Sequence, residues 1–319
     1  MIPDFNIITG ESFVIENLKN RLISLRITDE LGTTSDEAEI CFNYENGALE
    51  FAGNLKVFLG YKETGLFPMG VYVVNEVIIQ SPPQTVRIKA HAANLKKSLK
   101  EQVSKQWHQI TLSDLVTQIA RKHGYGAKVA TEFKDTLVQH TYQTNESDMS
   151  FLTKIAREYG ATVKPIGGYI IFIPKGKSKS ATGKVLGTTL LTPKDVLNWK
   201  ANFTVRSRYG SVIANWYDYN RGETIKEKAG DESPSYTLQE VYSSAELAMS
   251  AASTKLNQLK RSTVTLNITT VGNPEFHAET KISLLGFCQE IDGEWVVNKA
   301  EHILDNSGYR TMIEAVINK

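Results

Sequence analysis

The sequence predicts a mainly β protein in which one β domain occurs twice, with a small α+β domain inserted between the copies. Three observations carry this. Short alternating runs bounded by turn residues fill both ends of the chain. Helical periodicity is confined to the middle and to one later stretch. The strand vocabulary of the first third also returns in the last: "GVYVVNEVIIQ" (70–80) is echoed by "GEWVVNKAEHIL" (293–304).

The elements follow in order. Through Asn94, "LISLRITDE" and "EAEICFNY" alternate, then come "LKVFLGY", "GVYVVNEVII" and "TVRIKAHA", with turns at "KETGLFPMG" and "QSPPQ". This spacing predicts a small antiparallel barrel or sandwich. From Thr111, "TLSDLVTQIARKHGYG" sets Leu112, Leu115, Val116 and Ile119 on one helical face, with Thr111 and Asp114 as a capping pattern and Gly124 as the stop. "TLVQHTYQT" reads as a strand. A second helix from Ser147 puts Met149, Leu152, Ala156 and Tyr159 on one side and ends at Gly160, and "ATVKPIGGYIIFIP" reads as a hairpin over Gly167–Gly168. "KGKSKSATGK" (175–184) reads as a mobile linker or loop tip and lacks the spacing of a phosphate-cradling loop.

Strands resume at "LNWKANFTVRSRYG", "SVIANWYDY" and "SYTLQEVY". A helix capped by Ser243 and Glu246 follows, with a narrow stripe of Ala245, Ala248, Ala252, Leu256 and Leu259 fit to lie close against a barrel wall. "STVTLNITT", "KISLLGF", "EWVVNKAEHIL" and "YRTMIEAVI" end the chain.

The echo extends to three strands in order. Gly60 matches Gly286 at an offset of 226, Asn75 matches Asn298 at 223 and Ala90 matches Ala315 at 225; Tyr72 and Trp295 are the aromatic pair. Loop changes of two or three residues separate these offsets, so duplication explains them better than shared strand composition. The expected domains are a first β-barrel (1–106), a middle α+β domain (107–174), a linker (175–188) and a second β-barrel with one packing helix (189–319).

Composition narrows the function. The chain has 319 residues, 36 basic and 35 acidic side chains and a net charge of +1, with 41% hydrophobic residues. Two or three packed domains are expected. The charge balance argues against a general nucleic-acid or membrane binder. No apolar run approaches a membrane span, and "MIPDFNIITGESF" has no signal-peptide pattern. Cys41 and Cys288 could pair, but two cysteines so far apart fit a reduced, cytosolic folding environment better.

A search for chemistry returns no active site, cofactor motif or metal motif. His91, His108, His123, His140, His277 and His302 lack ligand spacing; His123 sits at a helix end and His302 reads as a structural hydrogen-bonder. No nucleophile elbow is present. Asp29–Glu30 and Asp36–Glu37 flank "LGTTS" and read as solvated loop charges rather than paired catalytic acids. Trp107, Trp199, Trp216 and Trp295 suit core or interface roles. The expected class is a structural, non-enzymatic protein.

The chain resembles the late control gene D proteins, the hub proteins of contractile phage tails and R-type tailocins, related to the hub part of type VI secretion spike proteins. The resemblance rests on "TLSDLVTQIARKHG", "QTNESDMSFLTKIAREYGATVKPIGGYIIFIP", "SSAELAMSAASTKLNQLKRSTVTLNIT" and "GFCQEIDGEWVVNKAEHILDNSGYRTMIEA". Glu279 departs from it, standing where a turn glycine is expected. The resemblance implies two tube-type β-barrels flanking the insertion, and a homotrimer that presents six similar units to a sixfold tail tube and three subunits to a threefold spike. It implies the central spike protein, tail tube protein, baseplate wedge proteins and tape measure protein as partners. The particle would be a virion or tailocin baseplate assembled in the host bacterial cytoplasm, without membrane anchoring, specific nucleic-acid binding or a cofactor. A peptidoglycan-binding tail-tip protein, for which "TLSDLVTQIARKHGY" has a LysM-like order, or a cell-wall-degrading one, for which no acid pair or metal triad stands out, is the alternative.

Overall fold

A computed structural model describes residues 1–9, 19–31, 36–44, 53–92, 99, 101–166, 168–174, 188–204, 209–219, 221–261 and 264–317. The first part of the chain runs β1 (Pro3–Thr9), β2 (Leu22–Glu30), β3 (Glu37–Asn43), β4 (Asn54–Tyr61), β5 (Gly65–Gln80) and β6 (Thr85–His91). The middle holds β7 (Gln102–Thr111), α1 (Leu112–Lys122), β8 (Gly126–Val129), α2 (Thr131–Lys134), β9 (Leu137–Ser147), α3 (Asp148–Glu158), β10 (Ala161–Ile166) and β11 (Tyr169–Pro174). Then follow β12 (Thr188–Leu191), β13 (Val196–Phe203), β14 (Ser211–Asp218), β15 (Glu223–Ala229), β16 (Ser235–Tyr242), α4 (Ala245–Arg261), β17 (Val264–Val271), β18 (Lys281–Leu284), β19 (Gly293–Asp305) and β20 (Gly308–Ile317).

Twelve strands from both ends of the chain form one sheet, in the order β1-β4-β5-β6-β3-β2-β19-β20-β17-β13, with β18 on the edge of β19 and β12 beside β18. Two separate closed barrels were the expectation from the sequence. Among the described residues the ladder is an open path and closes no ring. The edge of β2 that could complete a ring in the first unit is instead paired with β19 of the second, from Ser24–Asp305 to Glu30–Lys299.

The two units share ladder details. Both contain an antiparallel meander, β4-β5-β6 in one and β18-β19-β20 in the other. The β5–β6 ladder skips Asn75, between the pairs Val74–Ala90 and Glu76–Lys89. The β19–β20 ladder skips Asn298, between Val297–Ala315 and Lys299–Glu314. Such bulges bend a strand and increase its twist. Likewise β2 skips Ile23 against β3, and β13 skips Leu197 against β17. The units differ at one edge: β1 is antiparallel to β4, whereas β12 is parallel to β18.

Alternation on each strand supplies two cores. Leu25, Ile27, Val57, Leu59 and Tyr72 are buried in the first, and Leu266, Ile268, Ile282, Trp295 and Val297 in the second. Leu304 and Tyr309, from the far ends of β19 and β20, are buried in the first core, so the two units share side chains as well as a ladder.

The middle module packs α1 and α3 with the β7–β9 pair and the β10-β11-β8 sheet. β7 begins at Gln102, so the expected boundary at 106/107 falls inside a strand. The Thr111 hydroxyl accepts from the Asp114 backbone N–H at 3.1 Å, and Gly124 takes φ +68 after the helix. On α3 the buried apolar residues are Phe151, Leu152, Ile155 and Ala156, with Met149 and Tyr159 only half-buried. The core face is therefore rotated from the expected one, because the Phe151 ring stacks on Trp107 at 6.0 Å.

α4 does not lie on the large sheet. It covers the separate β15-β14-β16 sheet, closing Ala248, Ala252 and Leu256 over Val212, Ala214 and Ala229. Its cap is Ser244, whose hydroxyl accepts from Leu247 N at 3.3 Å, one residue later than expected. The charged "ETIKEKA" of β15 gave no apolar run to read. Residues 175–187 and Gly167 lie outside the described residues, and the expectations placed on them with them.

Candidate functional site: a joint shared by three modules

The polar groups with the most organised surroundings lie where the first unit, the middle module and the second unit meet. The Lys164 ammonium, on β10, donates to Asp36, to the Glu30 carbonyl at 3.1 Å and to Asp29 at 3.4 Å. Asp29, at the end of β2, also accepts from the Ala278 backbone N–H of the second unit at 2.9 Å. One lysine and two carboxylates thus connect all three modules.

Asp29 and Asp36 are not the solvated loop charges expected. Their side chains are 23% and 17% exposed, and that of Lys164 is 14% exposed. Burial alone raises the Asp29 carboxyl, but Lys164 and the Ala278 N–H bring it below the usual range. Asp36 is pushed up to about 7, by burial and then by the charge of Asp29, with Lys164 opposing. The group can therefore hold one proton near neutrality.

The wall of the joint is a buried hydrogen-bond chain. His302 on β19 is fully buried, with Nε2 2.9 Å from the Phe276 carbonyl and Nδ1 2.9 Å from the Tyr309 hydroxyl. A carbonyl can only accept, so Nε2 carries the proton and Nδ1 accepts from Tyr309. Burial lowers the His302 pKa to about 4, which keeps the ring neutral. Tyr61 of β4 donates to the Gly272 carbonyl at 2.8 Å, across the boundary between the units. Gly272 has to be glycine here, since a Cβ would meet the Tyr309 ring at 2.1 Å. His302 is thus a structural hydrogen-bonder in place, while His123 caps α1 with Nε2 2.6 Å from buried Asp148.

The residues singled out by the repeat stand as follows. Tyr72 and Trp295 are each 2% exposed, and each anchors its polar atom locally: Tyr72 on the Met69 carbonyl at 2.8 Å, Trp295 on the Ile291 carbonyl at 2.7 Å. Ala90 and Ala315 are fully buried opposite Val74 and Val297. The Asn75 side chain accepts from His91 N at 3.1 Å, and that of Asn298 donates to Glu314 at 3.3 Å. Gly60 and Gly286 are out of step. Leu55 faces Tyr72 and Ile282 faces Trp295, which aligns Gly60 with Phe287. Gly60 lies within β4, whereas Gly286 turns the chain at φ +83. Glu279 takes φ +70, the left-handed conformation for which a glycine was expected.

Sequence spacing gave no sign that His108 and His140 face each other across β7 and β9, with Nδ1 atoms 2.6 Å apart. Among the described residues no group of three or more potential metal ligands occurs. Cys41 and Cys288 are both free thiols. The joint's chemistry is to hold modules together.

A profile of the phage tail baseplate hub (GPD) family matches residues 84–308. The chain belongs to that family. The hub resembles the "Probable baseplate hub protein" of Escherichia phage 186, 27% identical over 98% of this chain and 92% of that protein. Its fold is shared by the 43 kDa tail protein of prophage MuSo2 from Shewanella oneidensis, at a TM-score of 0.74, 15% identity and coverage of 99% and 98% of the two chains. The E. coli c3393 protein, described as a type VI secretion component structurally similar to T4 tail proteins gp27 and gp5, matches at a TM-score of 0.60 and 11% identity, over 99% of this chain and 77% of that one. Hub membership assigns a structural role in the baseplate of a phage tail, which suits a site made of joints.

Proposed function

We propose that the hub is a homotrimeric symmetry adaptor. Each chain supplies two copies of one tube-type β unit, so three chains make a ring of six similar units for the sixfold tail tube while keeping threefold symmetry for the spike. The observation that carries this reading is the matched ladder, with both meanders skipping one residue at an asparagine, Asn75 and Asn298. The matching bulges at Ile23 and Leu197 support it. On this reading the domains are the first unit, the middle module and the second unit, the last enlarged by the α4 sheet. The role is scaffolding rather than catalysis. The spike, the tube, the wedge and the tape measure protein are its partners in a virion or tailocin particle built in the host cytoplasm.

A permanent ring needs interfaces above about 2,000 Å², and heterologous contacts that close on themselves. Mass photometry with and without the cognate spike protein is expected to give a trimer, stabilised by the spike through mass action. A monomer or twofold dimer that persists with spike bound overturns the reading.

A further inference from the structure

Within one chain the two units are joined by β2 lying against residues 299–305 of β19. That stretch of β19 lies beyond the part occupied by β18, on the same edge. The first unit has the same open stretch. β4 occupies β5 only from Gly65 to Val73, and β6 lies on the opposite edge, so residues 76–80 have no strand on the β4 side among the described residues. The second unit has the matching outer strand. β13 relates to β17 as β2 does to β3, and its far edge is bare among the described residues.

We propose that the same joint is made between chains: β13 of one copy pairs antiparallel with residues 76–80 of β5 in the next. This rests on the ring reading above and says which edges form it. The register follows from the bulges. Ile23 and Leu197 occupy one ladder position, as do Asn75 and Asn298. Since Ile27 faces His302 inside the chain, Ala201 faces Ile79 between chains, and Lys200 faces Gln80.

The side chains fit this assignment. Trp199 holds the position of Leu25, and Ile79 that of His302; Leu25 and His302, which lie on the paired strands of the joint inside the chain, are fully buried. Trp199, Phe203 and Ile79 are 42%, 45% and 58% exposed, and the proposed pairing brings them to one face. Unpaired strand edges with large apolar side chains seek a partner strand, and a second copy supplies the one whose register already matches. Every chain then offers one edge of each kind, and three chains close head to tail with none left over.

Cysteines at directly opposed positions of an antiparallel pair fall within disulfide reach. The full-length Gln80→Cys/Lys200→Cys variant, both positions being exposed, is oxidised and run on non-reducing gels beside each single variant, with mass photometry on the same samples and with the spike protein added. A reducible covalent trimer in the double variant alone is expected, with Gln80→Cys/Ala201→Cys, whose side chains point to opposite faces, at least tenfold less linked. A trimer by mass without the cross-link overturns the strand pairing and leaves the ring standing. A covalent ladder running past three supports the pairing and overturns closure at three. A monomer throughout, with spike present, overturns both.

Discussion

The two β units use one ladder plan and finish its outer strand in opposite ways. In the first, β2 is covered, and its end carries Asp29 into the ionic joint with Lys164 and Asp36. In the second, the outer edge of β13 is bare among the described residues, and the matching position is Phe203, 45% exposed. The β2 edge thus ends in a polar, three-module junction, whereas the β13 edge carries the exposed apolar side chains Trp199 and Phe203. Two units with the same ladder details can differ at their edges while their inward faces each satisfy a close-packed core.

The largest expected effect tests the polar side of that contrast. Lys164→Ala leaves Asp29 and Asp36 mostly buried without their cation, and is expected to destabilise the chain by about 3–5 kcal/mol. Urea unfolding measures it, and protease cutting between the middle module and the first unit should rise with it. The matching change on the bare edge, Phe203→Ala, should alter monomer stability by much less than Lys164→Ala. Equal losses at the two positions would mean that the edges do not differ in the way described.

A smaller effect appears as a pH dependence. Asp36 sits near 7 in the folded chain and near the ordinary carboxylate value when unfolded. Between about pH 4 and pH 7 the folded chain holds a proton that the unfolded chain releases, so rising pH removes stability across that window. Asn imitates the protonated acid. Asp36→Asn is expected to match the parent below about pH 4 and to exceed it by about 1–3 kcal/mol above pH 7. His302, with its pKa lowered to about 4, acts with the opposite sign, but it is common to both proteins and cancels in the difference. Unfolding titrations at pH 4, 5.5 and 8 check this, and a difference constant with pH would show that Asp36 keeps an ordinary pKa.

Most of the strands were legible because alternation writes them directly: "LISLRITDE", "GVYVVNEVII" and "EWVVNKAEHIL" became β2, β5 and β19. Of the middle helices, α1 and α3 were legible from their caps and periodicity and the one-turn α2 was not, although the buried face of α3 turned on a contact between Phe151 and Trp107, which are far apart in sequence. The joint was not legible. Asp29 and Asp36 flank a turn and look solvated; only β10 passing beside them with Lys164 makes them buried partners, and no local pattern encodes that approach. The destination of α4 was hidden for a related reason. An alanine stripe says that something packs closely, but β15, the strand that completes the covered sheet, is rich in charge and looks like loop.

The smallest expected effect falls on the asparagines that mark the shared bulge, and it separates the two units by the bonds they make. The Asn75 side chain accepts from the backbone N–H of His91 at 3.1 Å, so it satisfies a donor of the neighbouring strand at the skipped residue. Asn298 donates to the Glu314 carboxylate at 3.3 Å, a longer contact between two side chains. Asn75→Ala deprives a main-chain donor of its partner and is expected to cost about 1 kcal/mol, the net worth of a typical hydrogen bond. Asn298→Ala removes a contact that water can replace, and is expected to cost about half as much or less. Both bulges should survive, because the extra residue is set by the strand lengths around it rather than by the amide. Backbone chemical shifts or hydrogen exchange across 73–77 and 296–300 would report a bulge lost. Collapse of either ladder on losing the amide would show that asparagine makes the bulge, and that the repeated Val-Val-Asn is a requirement of the strand instead of a trace of common descent.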